Sequence, residues 1–203
     1  MIEPAREVPG LILHTPEGRP YRFDPGALSL ELLPTGGCGR YAAYEVLHAP
    51  ADLVRWAGEC RLPGGLSLDV SAAELRRAHE LRAALRDLTE ARAHGRPLAP
   101  GPLDVVNAVA AEPPLVPRVD VASGGFSWAP GATGTALLST VARDAVELFT
   151  GPYADRIREC GSANCALLFV DTSRPGRRRW CAMERCGNLH KVRAHRARHT
   201  AAD

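Results

Sequence analysis

The apolar positions along the chain alternate between two periods. Between residues 8 and 35 they come in short bursts, Leu11-Ile12-Leu13 and Leu28-Ser29-Leu30-Glu31-Leu32-Leu33, broken by Pro16, Gly18, Pro20, Pro25 and Gly26. That pattern predicts strands joined by turns. From Ser71 to about His94 the period lengthens, with Leu75, Ala78, Leu81, Leu85 and Leu88 recurring at steps of three and four. A long helix with one buried stripe follows from this spacing; Ser71 with Glu74 supplies a capping box, and Gly95 with Pro97 supplies the stop. Shorter helices are expected from Ala51 to Cys60 and from Pro102 to Glu112. A third long helix is expected from Thr135 to about Thr150, on the stripe Leu137, Leu138, Val141, Ala145 and Leu148. Between these helices, Val116 to Val121 and Phe126-Ser127-Trp128 read as a hairpin closed at Ser123-Gly124-Gly125.

Beyond Gly151-Pro152 the pattern changes again. Leu167-Leu168-Phe169-Val170-Asp171 is a strand, Thr172-Ser173-Arg174-Pro175-Gly176 is turn chemistry, and Arg177 to Trp180 is expected to return as the second strand. Ala182 to about His199 holds helix-compatible residues and no proline. The expected fold class is therefore α+β: a mixed helix and strand domain over residues 1–155, then a small appended module over residues 156–203.

Charge separates the same two regions. Residues 1–155 carry 14 Arg against 19 Asp and Glu, whereas residues 156–203 carry 11 Lys and Arg against 4 Asp and Glu. A basic end on an acidic body suits a polyanionic partner, with nucleic acid the first candidate. No apolar run approaches the roughly 20 residues of a membrane span, and the opening residues lack the basic-then-apolar pattern of a secretory signal. A soluble, cytoplasmic protein is the expectation.

Chemistry concentrates in the basic module. Cys160 and Cys165 form one C-x4-C pair, Cys181 and Cys186 another, fifteen residues on. In a reducing compartment such pairs point to metal before disulfides. Zinc favours four thiolates in a tetrahedron, each pair presented from a tight turn, and four sulfurs leave no open position for water or substrate. The expected role is a structural Zn2+ staple that replaces a core the module is too short to build. His190, four residues after Cys186, could replace one thiolate. On a helix Arg185, Leu189, Arg193 and Arg196 share one face. Arg177, Arg178 and Arg179 add a second basic patch, and Trp180 either stacks on a base or covers the metal site. The candidate nucleic-acid contacts are Arg178, Arg179, Arg185, Arg193 and Arg196, which can pair with phosphate oxygens. Elsewhere, Gly36-Gly37-Cys38-Gly39-Arg40 lacks the spacing of a phosphate-binding loop and reads as a turn. His79 and His94 read as surface histidines. No nucleophile-base pair, paired catalytic carboxylates or cofactor loop is visible, so no enzyme activity is expected.

The segment from Cys160 to Arg198, through Leu168-Phe169-Val170-Asp171-Thr172-Ser173, Arg178-Arg179-Trp180-Cys181-Ala182-Met183 and Cys186-Gly187-Asn188, resembles the CGNR zinc-finger family. The remainder resembles the ABATE domain that precedes that finger, through Tyr21-Arg22-Phe23, Leu28 to Thr35, Leu53-Val54-Arg55-Trp56, Glu80 to Leu85 and Asn107. The resemblance implies a treble-clef-like finger and a bacterial stress-induced transcription regulator with duplex DNA as partner. A small-molecule effector or self-association is the role expected of its first domain. Two positions depart from the family pattern: the signature arginine is Leu189, and Leu30-Glu31-Leu32-Leu33-Pro34-Thr35 stands where members read Leu-Asp-Phe-Val-Asn-Thr. The competing expectation is a zinc-stabilised protein-interaction or ligand-sensing module that does not touch DNA.

Overall fold

The computed structural model describes residues 10–192. Its elements in order are β1 (Leu11–His14), β2 (Pro20–Phe23), α1 (Leu28–Glu31), α2 (Pro50–Glu59), β3 (Leu68–Asp69), α3 (Ala72–Ala93), α4 (Pro100–Ala110), β4 (Pro117–Val119), β5 (Phe126–Trp128), β6 (Ala132–Thr133), α5 (Gly134–Thr150), β7 (Ile157–Glu159) and β8 (Leu168–Val170). The strands form four two-stranded sheets: β1-β2, β4-β5 and β7-β8 are antiparallel, and β3-β6 is parallel. Small sheets around a helical layer make the α+β fold. No helix among the described residues is long and apolar enough to cross a membrane.

Helix α3 forms where its stripe predicts, and Leu75, Ala78, Leu81, Leu85 and Leu88 all lie in the core. Its capping box is present, and the same carboxylate reaches a second helix. Glu74 Oε2 accepts from Ser71 N (2.8 Å) and Ser71 Oγ (2.9 Å), while Oε1 accepts from Thr135 N (2.7 Å) and Thr135 Oγ1 (2.9 Å) at the start of α5. Position 134 must be glycine for this, because a Cβ there would sit 2.9 Å from Glu74 Cβ. Burial pushes the Glu74 carboxyl up, and the hydrogen bonds from Ser71 and Thr135 more than reverse that, holding it below the usual carboxylate range. A folded-state value below the unfolded one gives stability that is complete above the unfolded value and is lost as pH falls from there through the lower folded value. Glu74→Ala is expected to cost about 2 kcal/mol, roughly one cap at each helix, measured as a lower urea midpoint with an unchanged slope.

One segment departs from its expected state. Leu28 to Leu33 reads as a strand but forms α1 and, from Leu33 to Thr35, a 3-10 turn. A continuous short apolar run does not distinguish a buried strand from a buried helical turn. Here Leu28, Ser29, Leu30 and Glu31 are all buried, so polar groups on this turn need interior partners. Ser29 N donates to Asp144 on α5 (2.7 Å), Glu31 accepts from Arg61 N (2.7 Å) and Nε (3.0 Å), and Trp56 Nε1 donates to the Glu31 carbonyl (3.0 Å). The two helix histidines are also tied down: His79 Nε2 lies 3.0 Å from the Leu47 carbonyl, and His94 Nε2 lies 2.7 Å from Glu159.

The buried side chains divide into two cores. The larger gathers α1 to α5 with Ile157, Leu168 and Val170; the smaller joins Tyr21 and Phe23 of β2 to Phe169, Cys160, Cys181 and Cys186. Strand β8 belongs to both, since alternate residues of a strand face opposite sides. Leu168 and Val170 point into the helical core, and Phe169 points into the cysteine core.

A candidate zinc centre and its basic rim

The second core is assembled from three loops around Phe169. The first is a knuckle between β7 and β8, where Cys160 N donates to Leu167 O (2.9 Å) and Cys165 N donates to Ser162 O (3.0 Å). These strands pair Ile157 with Val170 and Glu159 with Leu168. The expected partner of the Leu167 to Asp171 strand, Arg177 to Trp180, forms no strand. The reason is Asp171, fully buried, which accepts from Ser173 N (3.0 Å), Ser173 Oγ (2.5 Å) and Arg178 N (2.8 Å). Its carboxylate draws the returning chain into a loop, so residues 177–180 run past the knuckle and meet it through Gly161 N to Arg179 O (2.9 Å).

The third loop carries Cys181 and Cys186. Met183–Gly187 is a π-helical turn, closed by Gly187 N to Ala182 O at 3.1 Å, and residues 188–192 continue as α-helix. The wide turn allows Cys186 to face inward beside Cys181. Gly187 lets the Met183 side chain lie against the turn, since a Cβ there would lie 2.7 Å from Met183 Sδ and displace it. Trp180 covers the knuckle against Gly161 and stacks with His190, ring centroids 4.7 Å apart. His190 is thus engaged outside the sulfur cluster.

The four sulfurs lie within 4.8 Å of one another, with Cys165 to Cys181 at 3.7 Å and Cys181 to Cys186 at 3.6 Å. A tetrahedral zinc ion with Zn–S bonds of about 2.3 Å separates its sulfurs by about 3.8 Å. Hydrogen bonds from Cys165 and Cys181 pull the Cys160 thiol far down, whereas the contact with Cys160 pushes Cys165 up to about 12 and pushes Cys181 up as well. Four thiolates at this spacing therefore need a dication among them, and the cluster fits a structural zinc ion held by Cys160, Cys165, Cys181 and Cys186. Of the remaining thiols, Cys38 is exposed and Cys60 is buried; all are free of disulfides.

The arginines of the sequence pattern fall into different roles. Arg178 is half-buried and directs Nε and NH2 to the backbone: Nε to Trp180 O (3.0 Å), and NH2 to Asp24 O (3.0 Å) and to Cys181 O. Its guanidinium also lies 4.2 Å from the Phe169 ring centroid. Arg185 is half-buried too, donating to the Tyr21 hydroxyl (2.6 Å) with its guanidinium over that ring. Burial pushes the Tyr21 phenol up to about 12 despite Arg185, so the pair is a cation on a neutral phenol. Arg177 and Arg179 are exposed, and Arg179 lies 5.3 Å from the Trp180 ring. With Arg22, Arg178 and Trp180, and with the carboxylates of Asp24 and Glu184, they line a groove of about 500 Å³ beside the metal site. Arg193 and Arg196 lie outside the described residues. Leu189 is 42% exposed on the helix that follows the π turn.

Sequence reasoning missed the contribution of β1 and β2 to this site. Tyr21 and Phe23 pack on the cysteines, Arg22 N donates to Glu184 (3.4 Å), and Val170 N donates to Pro25 O (2.7 Å). The alternation of Tyr21, Arg22 and Phe23 announces a one-faced strand, but nothing local says that its face is reserved for residues some 160 positions away.

Comparison with known families matches residues 26–152 to the ABATE family model, described as "Putative stress-induced transcription regulator", and residues 156–199 to the CGNR zinc finger. No curated protein matches the chain at a significant level. Neither family match includes β1 and β2, although they close the core around the metal site.

Proposed function

This chain belongs to the ABATE family and carries a CGNR zinc finger, and on that premise we propose that it regulates transcription through a finger that binds the backbone of duplex DNA. The observation that carries the reading is the pair of exposed guanidiniums, Arg177 and Arg179, flanking a groove beside a closed metal site. A site closed by four thiolates offers the metal no substrate position, so its work is to hold the surface around it. Phosphate oxygens are the natural partners of guanidiniums held in this way. Arg178 and Arg185 serve the platform: one fastens the Trp180–Cys181 backbone to Asp24, the other fastens the π turn to β2. Arg193 and Arg196 belong to the proposal through the sequence alone.

Binding of a random duplex, measured at rising salt, tests this. The log of the affinity should fall linearly with log salt, and Arg177→Ala with Arg179→Ala should reduce the slope by about 2, one for each arginine–phosphate pair removed. Arg178→Ala should instead lower stability and zinc retention. No affinity at low salt, or a slope unchanged in the double variant, overturns the DNA reading.

A second reading has its own support. Met183, Leu189 and Val192 are 53%, 42% and 47% exposed on the π turn and the helix after it. Apolar side chains there suit a protein partner better than a phosphate backbone, and Leu189 stands where the family signature has arginine. A protein that co-purifies after nuclease treatment, released by Leu189→Arg, supports that reading against the first.

A further inference from the structure

A second cleft opens in the helical domain between α3 and the 3-10 turn Gly39–Tyr44, with a volume of about 330 Å³. Its floor is made by two arginines one helical turn apart, Arg82 and Arg86, only 3% and 9% exposed. They are not equivalent. Arg82 is neutralised by Glu45 and also donates to Thr35 Oγ1 (2.9 Å). Arg86 has no carboxylate within ion-pair distance among the described residues. Its NH2 donates to the carbonyls of Leu33 and Gly36 (2.5 and 2.8 Å), and the Tyr41 ring covers one face at 3.7 Å. Carbonyl dipoles, Tyr41 and the more distant Glu90 carboxylate offset this buried charge, but burial still outweighs them, and an anion in contact would remove the cost. The wall beside it holds another unmet donor, since the buried Arg82 Nε has no hydrogen-bond partner.

Two glycines border this edge of Arg86. Gly36 and Gly37 have φ of 130° and 148°, which side chains with a Cβ rarely adopt, and a Cβ at Gly37 would lie 3.5 Å from Arg86 Nε. Arg40, at the mouth, donates to the Tyr41 hydroxyl, which in turn donates to Glu90 (2.7 Å). The geometry points to a small organic monocarboxylate as the ligand of this cleft, its carboxylate paired with the Arg86 guanidinium. Arg40 and Arg82 have Glu90 and Glu45 within ion-pair distance, and Arg86 is the arginine of the lining that has none among the described residues, so a single negative charge suits it. A phosphate dianion would meet Glu45, Asp87 and Glu90, which also line the cleft. Burial lowers the affinity of Arg86 for its own proton, and a carboxylate partner would restore it. The site is independent of whether the finger binds DNA.

Cys38 provides the test, being an exposed thiol on the cleft wall, while Cys60 is buried and the other four cysteines serve the metal site. The rate at which a thiol reagent modifies Cys38 in the zinc-loaded full chain is measured with benzoate, acetate, inorganic phosphate or chloride at matched ionic strength. Benzoate or acetate should slow the reaction saturably, by about tenfold near ten times the Kd, where about a tenth of the protein remains free. Phosphate and chloride should not. Arg86→Gln should abolish the protection. Should that variant fail to fold, Ala83→Trp, at an exposed α3 position on the cleft wall, should slow modification by itself and make it insensitive to benzoate. No saturable protection by either carboxylate, equal protection by phosphate, protection surviving in Arg86→Gln, or benzoate sensitivity surviving in Ala83→Trp overturns the proposal.

Discussion

Removing zinc, by chelation or by Cys181→Ser, is expected to unfold the smaller core while the helical core persists. The six buried members of that core include three of the four sulfurs, leaving only Tyr21, Phe23 and Phe169 as its buried carbon framework. Three aromatic residues cannot hold three loops together, and structural zinc contributes apparent folding free energies of about 10–16 kcal/mol in modules of this kind. Helices α2 to α5 have their own core and keep their far-ultraviolet signal. Hydrogen exchange should show protection lost at β2, at the knuckle and at the Met183–Gly187 turn, and retained along α3 and α5. Because the ligands bind as thiolates, falling pH should release the metal and produce the same pattern. Protection of Tyr21 to Phe23 that survives chelation would refute the zinc dependence of this core.

A comparably large effect is expected far from the cysteines in sequence. Phe23 is fully buried and paired with Leu11 in the β1–β2 register, so Phe23→Ala removes one of the three aromatic members of the metal core. Loss of a buried Phe costs about 3–5 kcal/mol. Where folding and metal binding are one event, that cost appears as weaker zinc binding, about two to three and a half decades at 1.4 kcal/mol per decade. A chain beginning at residue 26, where the ABATE match starts, should fare worse, because it also loses Tyr21 from Arg185 and the Asp24 carbonyl from Arg178. Competition with a chromophoric zinc chelator measures both. Zinc affinity unchanged in either protein would show that the hairpin merely rests on the finger.

Helices with caps and stripes could be read directly from the sequence, and so could the ligand set. Helix α3 begins at the residue after its predicted cap, and Cys160, Cys165, Cys181 and Cys186 converge as their spacing requires, because both signals are local. What escaped depends on pairing across distance. The partner of Leu168 to Val170 is Ile157 to Glu159, a choice made by the buried Asp171 carboxylate and not by strand propensity. Leu28 to Glu31 is helical where Asp144, Arg61 and Trp56 meet the Ser29 amide and the Glu31 carboxylate and carbonyl, partners that the local pattern does not contain, while Ser29 Oγ stays buried without one among the described residues. The arginines were legible as a cluster but not as individuals: Arg178 and Arg185 are half-buried against the backbone and Tyr21, while Arg177 and Arg179 are exposed.

The bond between Arg185 and Tyr21 spans 164 residues, which orders events in time as well as space. During synthesis the β1–β2 hairpin leaves the ribosome well before the finger, yet the face formed by Tyr21 and Phe23 stays uncovered until Cys186 has been made. Closing so long a loop costs entropy that only the final contacts repay, so this part of the protein matures last. Zinc capture then becomes the step that closes the smaller core, and a cell short of zinc would accumulate chains whose helices are finished while β2 and the Cys186 turn are still apart.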